Sequence, residues 1–219
     1  MNSNKPRIVF MGTPDFAVET LKVLHENGYP IVGVVTSTDK WGGRNKKIRL
    51  ESAVKKYASK QGLYLLQPKN LKDPLFVSQL KALNADLQIV VAFRMLPKVV
   101  WSMPRYGTVN LHASLLPKYR GAAPINWAII KGEKTTGITT FFIREEIDTG
   151  DILFQEEIPI SDEDNAGSLQ DKLMVAGAKL IQKTAEAIAN GEVNPLPQKD
   201  SEASPAPKIY RETCSIDFK

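Results

Sequence analysis

Residues 8–35, IVFMGTPDFAVETLKVLHENGYPIVGVV, decide the fold. Ile8–Met11 is an apolar run of the length of a buried strand, Phe16–His25 has helical spacing, and Ile31–Val35 is a second short apolar run. Pro14 presets φ for a helix start, and Asn27-Gly28 supplies the stop. Strand, helix and strand in that order are the repeating unit of a parallel sheet. The pattern continues outward. Apolar runs at Leu63–Leu66 and Leu87–Phe93 alternate with helical patterns at Leu50–Lys60 and Leu75–Leu83. After Gly107 come a strand through TVNLHAS, a helix over Pro124–Lys131, and strands over Gly137–Ile143 and Ile152–Ile160. Leu169, Leu173, Ala176, Leu180 and Ile188 mark an amphipathic helix over Ala166–Ala189 that Asn190-Gly191 stops. The expected class is α/β, an open, mostly parallel twisted sheet with flanking helices. Gly12-Thr13-Pro14 does not extend to GxGxxG and no Walker-type loop occurs, which argues against a dinucleotide or P-loop site.

The chain of 219 residues can bury a sizeable core, as one large domain or one domain with an appendage. Its one cysteine, Cys214, and the lack of an apolar run near membrane-span length argue for a reducing setting without disulfides. MNSNKPR at the start has no apolar secretory core, so a cytoplasmic protein is expected. The net charge of +5 is unevenly spread. From Asp39 to Lys60 lie eight cations (Lys40, Arg44, Lys46, Lys47, Arg49, Lys55, Lys56 and Lys60) and two anions, a local +6. Such a segment suits a polyphosphate backbone, or else forms a solvated helix face.

Chemistry concentrates between Asn110 and Asp151. Asn110 and His112 are two residues apart in a strand and share one face, with Leu111 turned to the core. They sit at a strand's carboxyl end, where open α/β sheets bind ligands. Asp148 returns in the loop REEIDTGD after the apolar run GITTFFI. A carboxylate beside an imidazole fixes its tautomer and supports its cation. The plainer readings are a satisfied core histidine and a turn opened by Asp148 and closed by Gly150. His25, near the end of its helix, reads as a surface group.

SLLPKYRGAAP (residues 114–124), preceded by Asn-Leu-His and followed by Asp-Thr-Gly-Asp, resembles the methionyl-tRNA formyltransferase family, among the enzymes that use 10-formyltetrahydrofolate. IVFMGTPDFAVETL is similar to that family's first strand and helix, and VTSTDKWGGRNKK to a basic loop it uses near the tRNA acceptor end. The likeness spans about residues 7–213 in family order. It implies a Rossmann-like formyltransferase fold and transfer of a formyl group from 10-formyltetrahydrofolate to the methionine amine of initiator methionyl-tRNA, in translation initiation. A monomer is expected, and one candidate histidine with no Cys or HExxH constellation gives no recognisable zinc set, just as no apolar run suits a membrane.

The resemblance also implies roles. Asn110 and protonated His112 would donate to the tetrahedral oxyanion, and Asp148 would support the histidine and relay protons. Phe93, Arg94, Met95 and Leu96 would enclose the folate ring, completed by Ser114, Leu115, Leu116 and Pro117 with Ile143 and Arg144. Arg44, Lys46 and Lys47 would bind tRNA. The chain has AFRMLP where the family commonly has AYG-x-ILP, and Trp41, Gly42 and Asn45 where Pro, Ala and Gly are common. Residues 1–190 are expected as the catalytic domain. The Pro- and Ser-rich 191–208 would be a linker, and 209–219 the opening of a truncated carboxy-terminal β-barrel. An amino-sugar-nucleotide formyltransferase and a non-catalytic RNA-binding module are the alternatives. The basic loop and IDTGDIL favour tRNA over the sugar, and the module leaves Asn110, His112 and Asp148 without a task.

Overall fold

The computed structural model describes residues 5–42 and 48–215. Its first half runs β1 (Ile8–Gly12), α1 (Asp15–Glu26), β2 (Ile31–Val35), β3 (Lys40–Gly42), β4 (Ile48–Leu50), α2 (Ala53–Lys60), β5 (Leu65–Leu66) and α3 (Pro74–Ala82). The second half runs β6 (Leu87–Val91), α4 (Lys98–Trp101), β7 (Thr108–His112), α5 (Pro124–Ile130), β8 (Thr135–Phe142), β9 (Ile152–Pro159) and α6 (Ala166–Asn190).

Seven strands form one sheet in the order β5-β2-β1-β6-β7-β8-β9. The first five are parallel, as the alternation predicts, and β8 and β9 complete the edge antiparallel. Period-two geometry divides β1 between two cores. Ile8 and Phe10 pack with Leu21, Leu24, Leu87, Ile89 and α6 on one face, while Val9 and Met11 pack with Val35, Phe76, Leu80 and Val90 on the other. The chain leaves β1 toward β2 and β5 and then crosses back to β6, so the strand order reverses between β1 and β6. In open α/β sheets the crevice at such a reversal, at the strands' carboxyl ends, takes the ligand.

Helix α6 is the main cover of one face. Asn165 Oδ1 accepts from the Gly167 and Ser168 N–H groups at 2.9 and 3.1 Å, and Gly191 ends the helix at φ +72°. Leu169, Leu173, Leu180, Ile181 and Ile188 are buried from it, each worth about 1.5–3 kcal/mol. A Cβ at Gly177 would lie 2.6 Å from Leu111 Cδ2, so the helix presses on the Leu111 face of β7 and leaves the Asn110 and His112 face to the ligand side.

Two local readings change. Leu50, expected to open a helix over Leu50–Lys60, instead ends β4, which pairs with β3, and α2 begins only at Ala53, where Ser52 Oγ accepts from the Lys55 N–H at 3.0 Å. Residues 191–208, expected as a linker, run without strand or α-helix, with one 3-10 turn at Asp200–Glu202, and lie docked on the sheet domain. Leu196 bridges Ile152, Pro205 bridges Arg120, and Ala206 is fully buried.

Candidate active site

The two-residue spacing places Asn110 and His112 together on the cleft, with Asn110 partly exposed and His112 6% exposed. The His112 ring is fixed at one nitrogen, Nε2, which lies 2.8 Å from the Tyr119 carbonyl oxygen. A carbonyl only accepts, so Nε2 carries a hydrogen and Nδ1 is the nitrogen left for chemistry. Nδ1 lies 3.7 Å from Asp148 Oδ2, close for an ion pair but beyond a direct hydrogen bond. The third predicted residue therefore comes to the first two, and its Oδ2 is itself held by the Gly121 N–H at 2.9 Å.

Both loops that make these contacts carry backbone strain. Asp148 sits at φ +55° and Tyr119 at φ +60°, a region Asp tolerates and a bulky aromatic rarely adopts. Tyr119 is held by Ser204 Oγ, which accepts its N–H at 2.9 Å, and by Glu133, which accepts its hydroxyl. Burial first, and Glu133 second, push its phenol up to about 12.

These residues open onto a cleft of about 620 Å³ at the carboxyl ends of β1, β6 and β7. Of the expected folate residues, Phe93, Arg94, Met95, Leu96, Ile143 and Arg144 line it. The Arg94 guanidinium is turned away to the carbonyls of Pro68 and Lys69, and Arg144 pairs with Asp151 at 2.5 Å. Ser114, Leu115, Leu116 and Pro117 do not line the cleft. Ser114 is fully buried and donates to the Lys118 carbonyl at 2.6 Å, and its own carbonyl accepts from Thr139 Oγ1. The Leu116 N–H donates to the same Thr139 oxygen at 3.1 Å, and Leu115 packs over Gly137. This segment is the floor that shapes the Tyr119 turn, because its backbone polar groups find their partners in β8 and β9.

In its place the cleft is walled by Gly121, Ala122, Ala123, Pro124, Ile125 and Asn126, with Pro14 and Phe16 from the β1 end. The strand-end rule, extended from β7 to β1, would have found Pro14 and Phe16, whereas nothing local in RGAAPIN signals a wall. His25 is remote from the cleft and partly buried, its Nδ1 3.3 Å from the Tyr57 hydroxyl, so it is not the exposed group expected.

Arg44, Lys46 and Lys47 lie outside the described residues. Around them the positive segment is partly compensated. Asp39, with a side chain 8% exposed, lies 2.5 Å from both Lys55 Nζ and Arg49 Nε, and Lys55 also reaches Glu51 at 2.7 Å. Lys55 first, and Gln67 next, hold the Asp39 carboxyl at about 2. Its depressed value means that its contribution is complete above the unfolded value of about 3.9 and is lost as pH falls through about 2. Urea denaturation across this range should show the stability advantage over Asp39→Asn narrowing as pH drops from about 4 to about 2. An unchanged gap would remove the ion network from the account.

Residues 6–185 match the formyl transferase family. The chain is 59% identical over 222 residues to the methionyl-tRNA formyltransferase of Bacteroides thetaiotaomicron, covering 100% of this chain and 69% of that protein. It is 57% identical over 215 residues to that of Flavobacterium johnsoniae, covering 98% and 68%. Glycinamide ribonucleotide transformylase 1 from Symbiobacterium toebii shares the fold with a TM-score of 0.74 at 18% identity, over 89% of this chain and 96% of that one. The N-formyltransferase from Helicobacter canadensis, solved with folinic acid and dTDP-3-aminofucose, does so with a TM-score of 0.70 at 21% identity, over 97% and 74%.

Proposed function

The chain belongs to the methionyl-tRNA formyltransferases, within the formyl transferase family, and from that premise we propose that Asn110, His112 and Asp148 carry its reaction in the cleft at the end of β7. The protein transfers the formyl group of 10-formyltetrahydrofolate to the methionine amine of initiator methionyl-tRNA. The amine must attack the formyl carbon as a free base, which generates a tetrahedral oxyanion. As the carbon–nitrogen bond to the folate breaks, the incoming nitrogen sheds a proton and the leaving nitrogen gains one. The Asn110 amide and His112 Nδ1 are the donors for the oxyanion, and Asp148 takes the proton of the incoming amine and returns it through water. The observation that carries this assignment is the Tyr119 carbonyl on Nε2, which leaves Nδ1 as the working nitrogen beside Asp148.

Phe93, Met95, Leu96 and Ile143 supply the apolar wall that suits a flat pteridine, with backbone groups of the same segment for its polar edge. Arg94 contributes its backbone, since its guanidinium is committed elsewhere. Arg44, Lys46 and Lys47 are assigned to phosphates near the tRNA acceptor end. In this reading residues 1–190 are the catalytic domain, 191–208 connect it onward, and 209–219 begin the next domain of a cytoplasmic, monomeric enzyme.

The test is transfer of labelled formyl from 10-formyltetrahydrofolate to methionyl-tRNA, with an amino sugar nucleotide as competing acceptor. Label should appear on the tRNA, and Asn110→Ala should lower kcat by about 10²-fold, as for the loss of one oxyanion donor. Label on the sugar alone would overturn the acceptor assignment, and Asn110→Ala within a few-fold of wild type would overturn the role of the amide.

A further inference from the structure

The segment after α6 enters the site through one side chain. Gln198, partly buried, has its whole amide engaged by two loops. Its Oε1 accepts from Arg120 Nε and Nη2 at 3.0 and 2.8 Å, and its Nε2 donates to the carbonyls of Asp148 and Gly150 at 2.9 and 2.8 Å. One loop presents the Tyr119 carbonyl to His112 and the Gly121 N–H to Asp148, and the other carries Asp148 itself. Gln198 therefore bridges the two halves of the catalytic set at the strained residue, Asp148, whose φ of +55° must be imposed by its surroundings. The segment is anchored on both sides of this contact. Leu196 exchanges backbone hydrogen bonds with Ile152 at 2.8 and 2.9 Å, Arg120 pairs with Asp200 at 2.9 Å, and the Ala206 carbonyl lies where a Cβ on Gly121 would be 2.6 Å away.

We infer that Gln198 is a positioning residue for formyl transfer, setting the approach of Asp148 to His112, so that the segment after α6 is a working wall of the active site. The inference rests on the assignment of Asp148 to the catalytic set. The chemistry of the amide supplies the test. Glu at 198 would still accept from Arg120, and more strongly. It has no hydrogen to give the two carbonyls and would repel them. A role confined to Arg120 is thus rescued by Glu, and a role through Asp148 is not.

The experiment measures kcat, both KM values and the thermal midpoint of the full chain for Gln198→Ala, Gln198→Glu and Asp148→Asn. Both Gln198 variants should lose about tenfold in kcat, as a displacement well under 1 Å entails, with KM for folate and tRNA nearly unchanged and with the Glu variant melting close to wild type. Wild-type kcat in Gln198→Glu would overturn the inference. So would a kcat loss in both variants that merely follows unfolding at the assay temperature, or one that is matched by a rise in KM. If Asp148→Asn keeps wild-type kcat, it is the catalytic assignment of Asp148 that fails. If Asp148→Asn is impaired while the Gln198 variants are not, the failure is that of Gln198 alone.

Discussion

Replacing His112 with Ala should lower kcat for formyl transfer by about 10³-fold, the combined loss of an oxyanion donor and a proton carrier. The buried ring has one fixed and one free nitrogen. The Tyr119 carbonyl holds Nε2 at 2.8 Å, so the proton there stays through the cycle and exchange is confined to Nδ1. Asp148 Oδ2, at 3.7 Å, is too far for a direct hydrogen bond and leaves Nδ1 free to turn its hydrogen to a developing oxyanion. The Gly121 N–H on the same oxygen keeps the carboxylate from closing that gap. Removal of the ring also leaves the Tyr119 carbonyl without its partner, at about 1–3 kcal/mol of stability, so circular dichroism and a urea melt should accompany the kinetics. A folded His112→Ala protein within a few-fold of wild-type kcat would return the residue to the class of core histidines.

How much of this was legible in the sequence follows the range of the interactions involved. Ile8–Met11, Ile31–Val35 and Leu87–Phe93 announce themselves because a strand buried on both faces reads as a near-continuous apolar run, broken in β6 by Gln88, whose Oε1 accepts from Thr108 Oγ1. Asn110 and His112 are legible for a similar reason, since strand period alone puts them on one face. Ser114–Pro117, which the resemblance implies for the folate site, do not line the cleft, and their sequence neighbourhood to His112 says nothing of where they point. Their partners are Thr139 and Gln155, residues that local pattern cannot connect to them. The Gln198 contact spans 50 residues to Asp148 and 78 to Arg120, and a Pro-rich composition predicts only that the segment is extended, not what it lies against. The pairing of β3 with β4 was hidden because Leu50 continues the charged helical pattern of α2, and the Ser52 cap is the local mark of where that helix starts.

Gly150→Ala should cost about 3 kcal/mol or more of stability and bring formyl transfer below detection in the same preparation. Gly150 is buried, and the cost is one of space rather than of backbone torsion. A Cβ there would lie 1.6 Å from the carbonyl oxygen of Phe142, 2.8 Å from its carbonyl carbon and 3.3 Å from the Phe141 ring. The first two obstacles are backbone, so no rotamer change relieves them. Phe142 cannot retreat readily, since its N–H donates to the Asp151 carbonyl at 3.0 Å and the next N–H, of Ile143, donates to the Thr108 carbonyl on β7 at 2.8 Å. The loop must give way instead, and it carries Asp148 two residues before and receives Gln198 at the Gly150 carbonyl itself. Stability and placement of the carboxylate therefore fail together. Thr149→Ala is the internal control, because Thr149 contributes one exposed hydroxyl contact, to the Glu146 carbonyl at 3.1 Å, and its loss should leave kcat within about two-fold. A Gly150→Ala protein that melts and turns over like Thr149→Ala would show that the loop has room to move, and that the approach of Asp148 to His112 is not set by this contact.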